Sequence, residues 1–266
     1  MAVAGENFYG DLIGRLGGDR VRVTSIISDP AVDPHSYETS PQNAETVADA
    51  SLVVENGLGY DTFLDRLLGA SSRSGRTVVN VQQLLGLPDG SNPHLWYDPP
   101  TMPRVARAVA DALGQIEPGS KPLFEANLKA YLDSFAPLTA RIADIKARFA
   151  GTPVAYTESV PGYLLVALAF DAITPPGFAR AVENGTDPAP IDVADMQDLL
   201  SGRKVRMLLY NNQATSPVTE SIKAMAEQTG VPVVGVSETI PKQNQGYVDW
   251  QLAQLNDMAT ALGGIA

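Results

Sequence analysis

Residues 118–149 read PGSKPLFEANLKAYLDSFAPLTARIADIKARF, and this stretch decides the architecture. Phe124, Leu128, Tyr131, Leu132, Phe135, Leu138, Ile142 and Ile145 recur at steps of one, three or four, which lines one face of an α-helix. At ~1.5 Å per residue such a helix extends beyond ~40 Å, about the width of a small domain. Pro137 lies inside the pattern. It lacks an amide N–H and its ring crowds the preceding turn, so a kink or a break is expected there. A helix this long at the midpoint of the chain reads as a strut, residues 118–149, between one lobe at 1–117 and another at 150–266.

Outward from the strut, helical and strand patterns alternate on both sides, the mark of an α/β protein with mostly parallel strands. In the first lobe strands are expected at 21–27, 51–56 and 77–81, with helices at 8–16, 41–48, 60–68 and 100–113. In the second, strands are expected at 153–156, 205–210 and 231–236. Helices are expected there at 161–170, 192–200 with an acidic cap, 216–229 and 247–262. The Pro-, Gly- and Asn-rich stretch 174–190 reads as a long loop with some helix around 178–182. The fold class is therefore α/β: two αβ lobes with mostly parallel sheets joined by one long linking helix.

The chain has 266 residues, 44% hydrophobic, enough for a sizeable core. Its net charge of -11 comes without a basic cluster, which argues against a nucleic-acid partner. With no cysteine, disulfides, thiolate metal sites and iron–sulfur clusters are excluded, and any metal must be held by nitrogen and oxygen. No apolar run of about 18 residues spans a membrane. The start, Met1-Ala2-Val3-Ala4 into Gly5-Glu6, has neither the charged nor the apolar region of an export signal. The Walker A, GxGxxG, HExxH and GxSxG motifs are all missing, so nucleotide binding and the commoner hydrolase mechanisms have no signature here.

Two histidines are all the chain has, and they sit in loops of similar design. The first is Asp33-Pro34-His35-Ser36-Tyr37-Glu38; the second is Asn92-Pro93-His94-Leu95-Trp96-Tyr97-Asp98-Pro99. Each imidazole follows a proline and precedes an aromatic and a carboxylate. Imidazole is the commonest transition-metal ligand, so a shared ion is one reading and two unrelated loop histidines is the other. In open α/β sheets ligands gather beyond the carboxyl ends of the strands, where Glu158 and Glu238 are also expected. Taken by position alone, Glu158 reads as a helix-start carboxylate favoured by the dipole, and Glu238 as a solvated loop residue.

Taken together, these pieces resemble the metal-binding receptors of bacterial ABC importers for zinc and manganese, the solute-binding proteins built on a rigid linking helix. The residues that carry the likeness are Glu6-Asn7-Phe8-Tyr9-Gly10-Asp11, the two histidine loops with Ser40-Pro41, Ala50-Ser51-Leu52-Val53-Val54-Glu55-Asn56-Gly57, and Asn127, Tyr131 and Leu138 in the strut. The resemblance implies that His35 and His94 are the metal ligands of the first lobe. Glu158, five residues before Tyr163, matches the third ligand. Glu238 stands where the family usually has an aspartate, and this is a departure. The chain also lacks the His-rich loop and the third histidine common among zinc-specific members. The resemblance therefore favours manganese, with zinc close behind.

The implied function is an extracytoplasmic receptor, periplasmic or lipid-anchored, that captures Mn2+ or Zn2+ as a monomer and delivers it to an ABC transporter membrane permease. It would not be an enzyme. Binding should weaken as the histidines protonate, near pH ~6 and below. The alternatives are a metal-dependent hydrolase using the same cleft and a surface adhesion protein on this fold.

Overall fold

The structure is a computed structural model that describes residues 1–29, 32, 37–242 and 245–263. The chain forms two compact units. One comprises Met1–Trp96, Pro100–Ala136 and Thr239–Val248; the other comprises Tyr97–Pro99, Pro137–Glu238 and Asp249–Ala266.

The first unit holds the parallel strands β1 (Ala2–Glu6), β2 (Val23–Ile27), β3 (Leu52–Glu55) and β4 (Thr77–Asn80), in the order β2-β1-β3-β4. Strand β1, sequence AVAGE, was not expected from pattern, since alanine and glycine are weak strand formers. Its place is set by pairing on both edges: Ala2 lies opposite both Val23 and Leu52. Every residue of β1 and β3 is buried, as a parallel sheet covered on both faces requires. Helix α1 (Asn7–Gly17) starts where β1 ends, and Gly10 faces β2, where a Cβ would run into the Ser25 hydroxyl. Helices α2 (Pro41–Asp49), α3 (Thr62–Ala70), α4 (Val81–Leu85), α5 (Thr101–Ile116) and α6 (Lys121–Asp133) complete the unit. Ser40 caps α2 by accepting from Asn43 N, and Asn80 caps α4 by accepting from Gln83 N.

The stretch expected as a strut runs as a 3-10 turn at Pro118–Ser120, then α6, then α7 (Ala136–Phe149). The interruption at Ser134 and Phe135 falls just ahead of Pro137, whose missing N–H cannot extend the ladder. Helix α6 packs on α1 and α5, and Asn127 Nδ2 donates to the α1 carbonyl of Leu16 at 2.9 Å. The chain passes from the first unit to the second between Ala136 and Pro137.

The second unit repeats the winding. Strands β5 (Pro153–Tyr156), β6 (Asp171–Ala172), β7 (Leu208–Asn211) and β8 (Val233–Val236) are parallel in the order β6-β5-β7-β8. Helices α8 (Gly162–Ala167), α9 (Pro176–Glu183), α10 (Pro190–Ser201), α11 (Pro217–Thr229) and α12 (Tyr247–Ala261) surround the sheet, with α12 beginning in the first unit. Phe178 of α9 and Met196 and Leu200 of α10 pack on Ala155 and Leu208 in the core. Asp192 lies in the first turn of α10 rather than capping it; Ala189 holds the cap position, because the helix opens two residues earlier at Pro190.

In each sheet the winding reverses between the unit's first and third strands: β1 and β3 in one, β5 and β7 in the other. Crevices form beyond the carboxyl ends of strands at such reversals. Glu6 and Asn56 stand there in the first unit; Thr157, Glu158 and Asn211 stand there in the second.

Candidate metal centre

Glu158 follows β5 by two residues and is 1% exposed; Glu238 follows β8 by two and is fully buried. The helix-start reading of Glu158 does not hold, because α8 begins at Gly162 with Pro161 as its cap residue. Nor is Glu238 solvated. One carboxylate oxygen of each lies within 4.8 Å of the other. At that range two buried carboxylates repel, and neither has bulk water to disperse its charge.

Asn211, the last residue of β7, holds the pair. Its Nδ2 donates one hydrogen to Glu158 Oε2 and the other to Glu238 Oε1, the latter at 2.8 Å. Its Oδ1 accepts from Gln213 N at 3.0 Å, which fixes which way the amide points. The Asn211 backbone is held too, its N–H donating to Thr157 Oγ1 at 3.0 Å. Glu238 N donates to Gln213 Oε1 at 2.6 Å. One residue earlier, Ser237 is fastened by Tyr97 OH on its carbonyl (2.7 Å) and Trp250 Nε1 on its hydroxyl (3.1 Å). Two carboxylates so fixed present a rigid pair of oxygen donors. Hard and borderline divalent cations such as Mn2+ and Zn2+ take this donor set.

His94 lies in the first unit, fully buried. Asn92 Oδ1 accepts from the His94 backbone N–H at 2.9 Å and lies 2.8 Å from its Nδ1. An oxygen already accepting from a backbone N–H needs a hydrogen on Nδ1, so Nε2 carries the lone pair. This arrangement orients an imidazole for metal ligation. The ring stands edge-on to Tyr60 and Trp96, with centroids 5.8 Å and 5.4 Å away, and Trp96 stacks on Phe8 at 4.3 Å. Trp96 is thus part of an aromatic wall that shields the imidazole.

Asn56 supports this loop from below. Its Nδ2 donates to the carbonyl of Pro93, next to His94, at 2.8 Å, and its Oδ1 accepts from Tyr9 OH at 2.8 Å. Burial, reinforced by the Glu6 carboxylate, holds the Tyr9 phenol well above its ordinary range and keeps it a donor. Asp61 anchors the backbone of the same turn, accepting from Asn56 N at 2.6 Å and Gly57 N at 2.9 Å. Burial pushes its carboxyl up to about 7, although these backbone bonds pull it down.

The structure therefore brings Glu158 and Glu238 together and places His94 on its own support. His35 lies outside the described residues. Sequence reasoning missed the three asparagines. The signal was present: Leu52-Val53-Val54-Glu55-Asn56 and Leu208-Leu209-Tyr210-Asn211 each end an apolar strand on an amide, and Asn92 sits two residues before His94.

Two parallel α/β units of the same winding, with polar groups fixed past the strand ends, define the class of two-unit α/β ligand-binding proteins. The particular family follows from sequence: the family model described as zinc-uptake complex component A, periplasmic, matches residues 3–261, and the chain belongs to that family. It is 31% identical over 147 residues to the manganese-binding lipoprotein MntA of Halalkalibacterium halodurans, a match covering 53% of this chain and 48% of that protein. The chain thus spans about half the length of that relative. It is 22% identical over 249 residues to the manganese ABC transporter substrate-binding lipoprotein scaA of Streptococcus gordonii, covering 87% of this chain and 77% of the other. The structure of the periplasmic zinc binding protein TroA from Treponema pallidum shares the fold, with a TM-score of 0.83 at 19% identity over 98% of both chains. No helix among the described residues is long and apolar enough to cross a membrane.

Proposed function

We propose that this chain is an extracytoplasmic receptor that captures Mn2+ or Zn2+ and hands it to the membrane permease of an ABC importer. The observation that carries the reading is the pair of buried glutamates, Glu158 and Glu238, sharing the single amide of Asn211. A divalent cation neutralises both. His94, oriented by Asn92 to offer Nε2, and His35 are the nitrogen ligands of the same site. Two imidazoles and two carboxylates replace the ion's water shell and leave the bound complex near neutral, which keeps the cost of burying it low.

The relatives' names support the choice of cargo, since MntA is described as manganese-binding and scaA as a manganese ABC transporter substrate-binding lipoprotein. Four ligands of this kind also suit zinc, whose intrinsic affinity exceeds that of manganese, so availability outside the cell membrane decides between them. The chain acts as a monomer and turns nothing over. A hydrolase reading is not favoured, because the curated relatives are transport proteins.

The test is a thermal-stability titration of metal-stripped protein with Mn2+ and with Zn2+, for wild type, His94→Ala and Glu238→Ala. Metal at about 100 times its dissociation constant stabilises a one-site protein by ~2.7 kcal/mol. Wild type is expected to shift, His94→Ala to lose the shift and Glu238→Ala to show a reduced one. A wild type indifferent to both metals ends the reading.

A further inference from the structure

The motif Glu6-Asn7-Phe8-Tyr9-Gly10-Asp11 carries the family likeness, yet none of the proposed ligands belongs to it. Its polar residues Asn7 and Asp11, with Arg15, are spaced by four and share one face of α1. Each meets the segment Thr239–Val248, which belongs to the first unit and leads from Glu238 into α12. Asn7 Nδ2 donates to the Ile240 carbonyl at 3.0 Å, and its Oδ1 accepts from the Ile240 N–H at 2.9 Å. One side chain thereby satisfies both polar groups of a single residue, as a neighbouring strand would. Asp11 Oδ2 accepts from Tyr247 N at 3.1 Å, and Arg15 Nε pairs with Asp11 Oδ1 at 2.9 Å. The Arg15 guanidinium lies directly over Gly246 of the segment, where a Cβ would displace it. At its far end, Tyr247 OH donates to the carbonyl of Trp96 at 2.6 Å, two residues after His94.

Ile240 is two residues along the chain from Glu238. Two hydrogen bonds on Ile240 hold the peptides on either side of it, one residue beyond the peptide that follows the glutamate. We propose that Asn7 is a positioning residue for the cargo metal: acting through Ile240, it fixes the backbone from which Glu238 reaches the ion. This rests on the receptor reading above. Asp11 and Arg15 hold the other end of the same segment against α1, which makes Asn7 the α1 residue whose contact lies nearest Glu238 along the chain.

The experiment is a competition titration of metal-stripped protein with Mn2+ and with Zn2+, comparing wild type, Asn7→Ala, Asn7→Asp, Glu238→Gln and the Asn7→Ala/Glu238→Gln double variant. Asn7→Ala is expected to weaken binding roughly tenfold, the usual effect of losing a group that orients a ligand. Asn7→Asp keeps the acceptor for Ile240 N–H and should recover part of that loss. The double variant should bind no more weakly than Glu238→Gln alone, because Asn7 acts only through Glu238. Wild-type affinity in Asn7→Ala, or losses that add in full in the double variant, overturns the proposal and leaves the receptor reading standing. Should Asn7→Ala fail to fold, Asn7→Asp decides: several-fold weaker binding supports the proposal and wild-type affinity overturns it. A wild type that binds neither ion overturns the receptor reading and this inference with it.

Discussion

Asn56 and Asn211 occupy matching places in their sheets: one directly follows β3, the other ends β7, and each stands beside the point where the winding reverses. They use their amides differently. Asn56 spends its donors on backbone carbonyls, Pro93 and Gly57, so it fixes a loop and leaves the imidazole to be aimed by Asn92. Asn211 donates to the two glutamates themselves. Asn56 thus supports His94, a proposed nitrogen ligand, at one remove, whereas Asn211 holds the two proposed oxygen ligands directly. The charge explains why. A neutral imidazole can be buried against aromatics with one hydrogen bond, whereas two buried carboxylates need donors on their own oxygens.

The sharpest way to break this contrast is Asn211→Ala. It leaves both glutamates buried without their shared donor and should cost the metal-free protein about 3 kcal/mol in urea unfolding. Saturating Mn2+ should restore much of that loss, because the ion takes over the charge; a loss that metal leaves untouched would mean that Asn211 is purely structural. Asn56→Ala removes the partners of Tyr9 OH and the Pro93 carbonyl and should cost about 2 kcal/mol, with little recovery on adding metal. A larger loss from Asn56→Ala than from Asn211→Ala would reverse the comparison.

Asn92→Ala should weaken Mn2+ binding about tenfold, near 1.4 kcal/mol, by freeing the tautomer and tilt of His94. Unchanged affinity by calorimetry would show that the aromatic wall alone orients the ring. Taken per pH unit, the smallest effect is that of pH on Asp61. Its folded pKa of about 7 lies above the ordinary 3.8, so between these values the folded chain keeps a proton that the unfolded chain has released. The resulting stability is fully present below about pH 4 and is lost as pH rises through 7, at no more than about 1.4 kcal/mol per pH unit. Denaturation of metal-free protein from pH 5 to 8 should show this slope for wild type and a flatter one for Asp61→Asn. Equal slopes would remove Asp61 as the cause.

Much of this was legible in the sequence. The two lobes, their parallel strands and the central helical stretch followed from periodicity, and the break before Pro137 from the chemistry of proline. Strand β1 was not legible, because AVAGE becomes a strand only by pairing on both edges. Glu158 and Glu238 could be nominated from their places after strands, but burial is what separates them from ordinary surface carboxylates, and burial is a tertiary fact. The asparagines escaped for the same reason: an amide at a strand end looks like a turn former until its partners are known.

The make-up of the first unit bears on how the protein is made. Its last segment, Thr239–Val248, is synthesised about 110 residues after Ala136, where the rest of that unit ends. At ~5–20 residues per second, that segment emerges roughly 5–20 s after the rest of the unit. Sheet and helices can assemble in that interval, but this unit closes only once Thr239–Val248 is available. Completion of the first unit is therefore a late, long-range step.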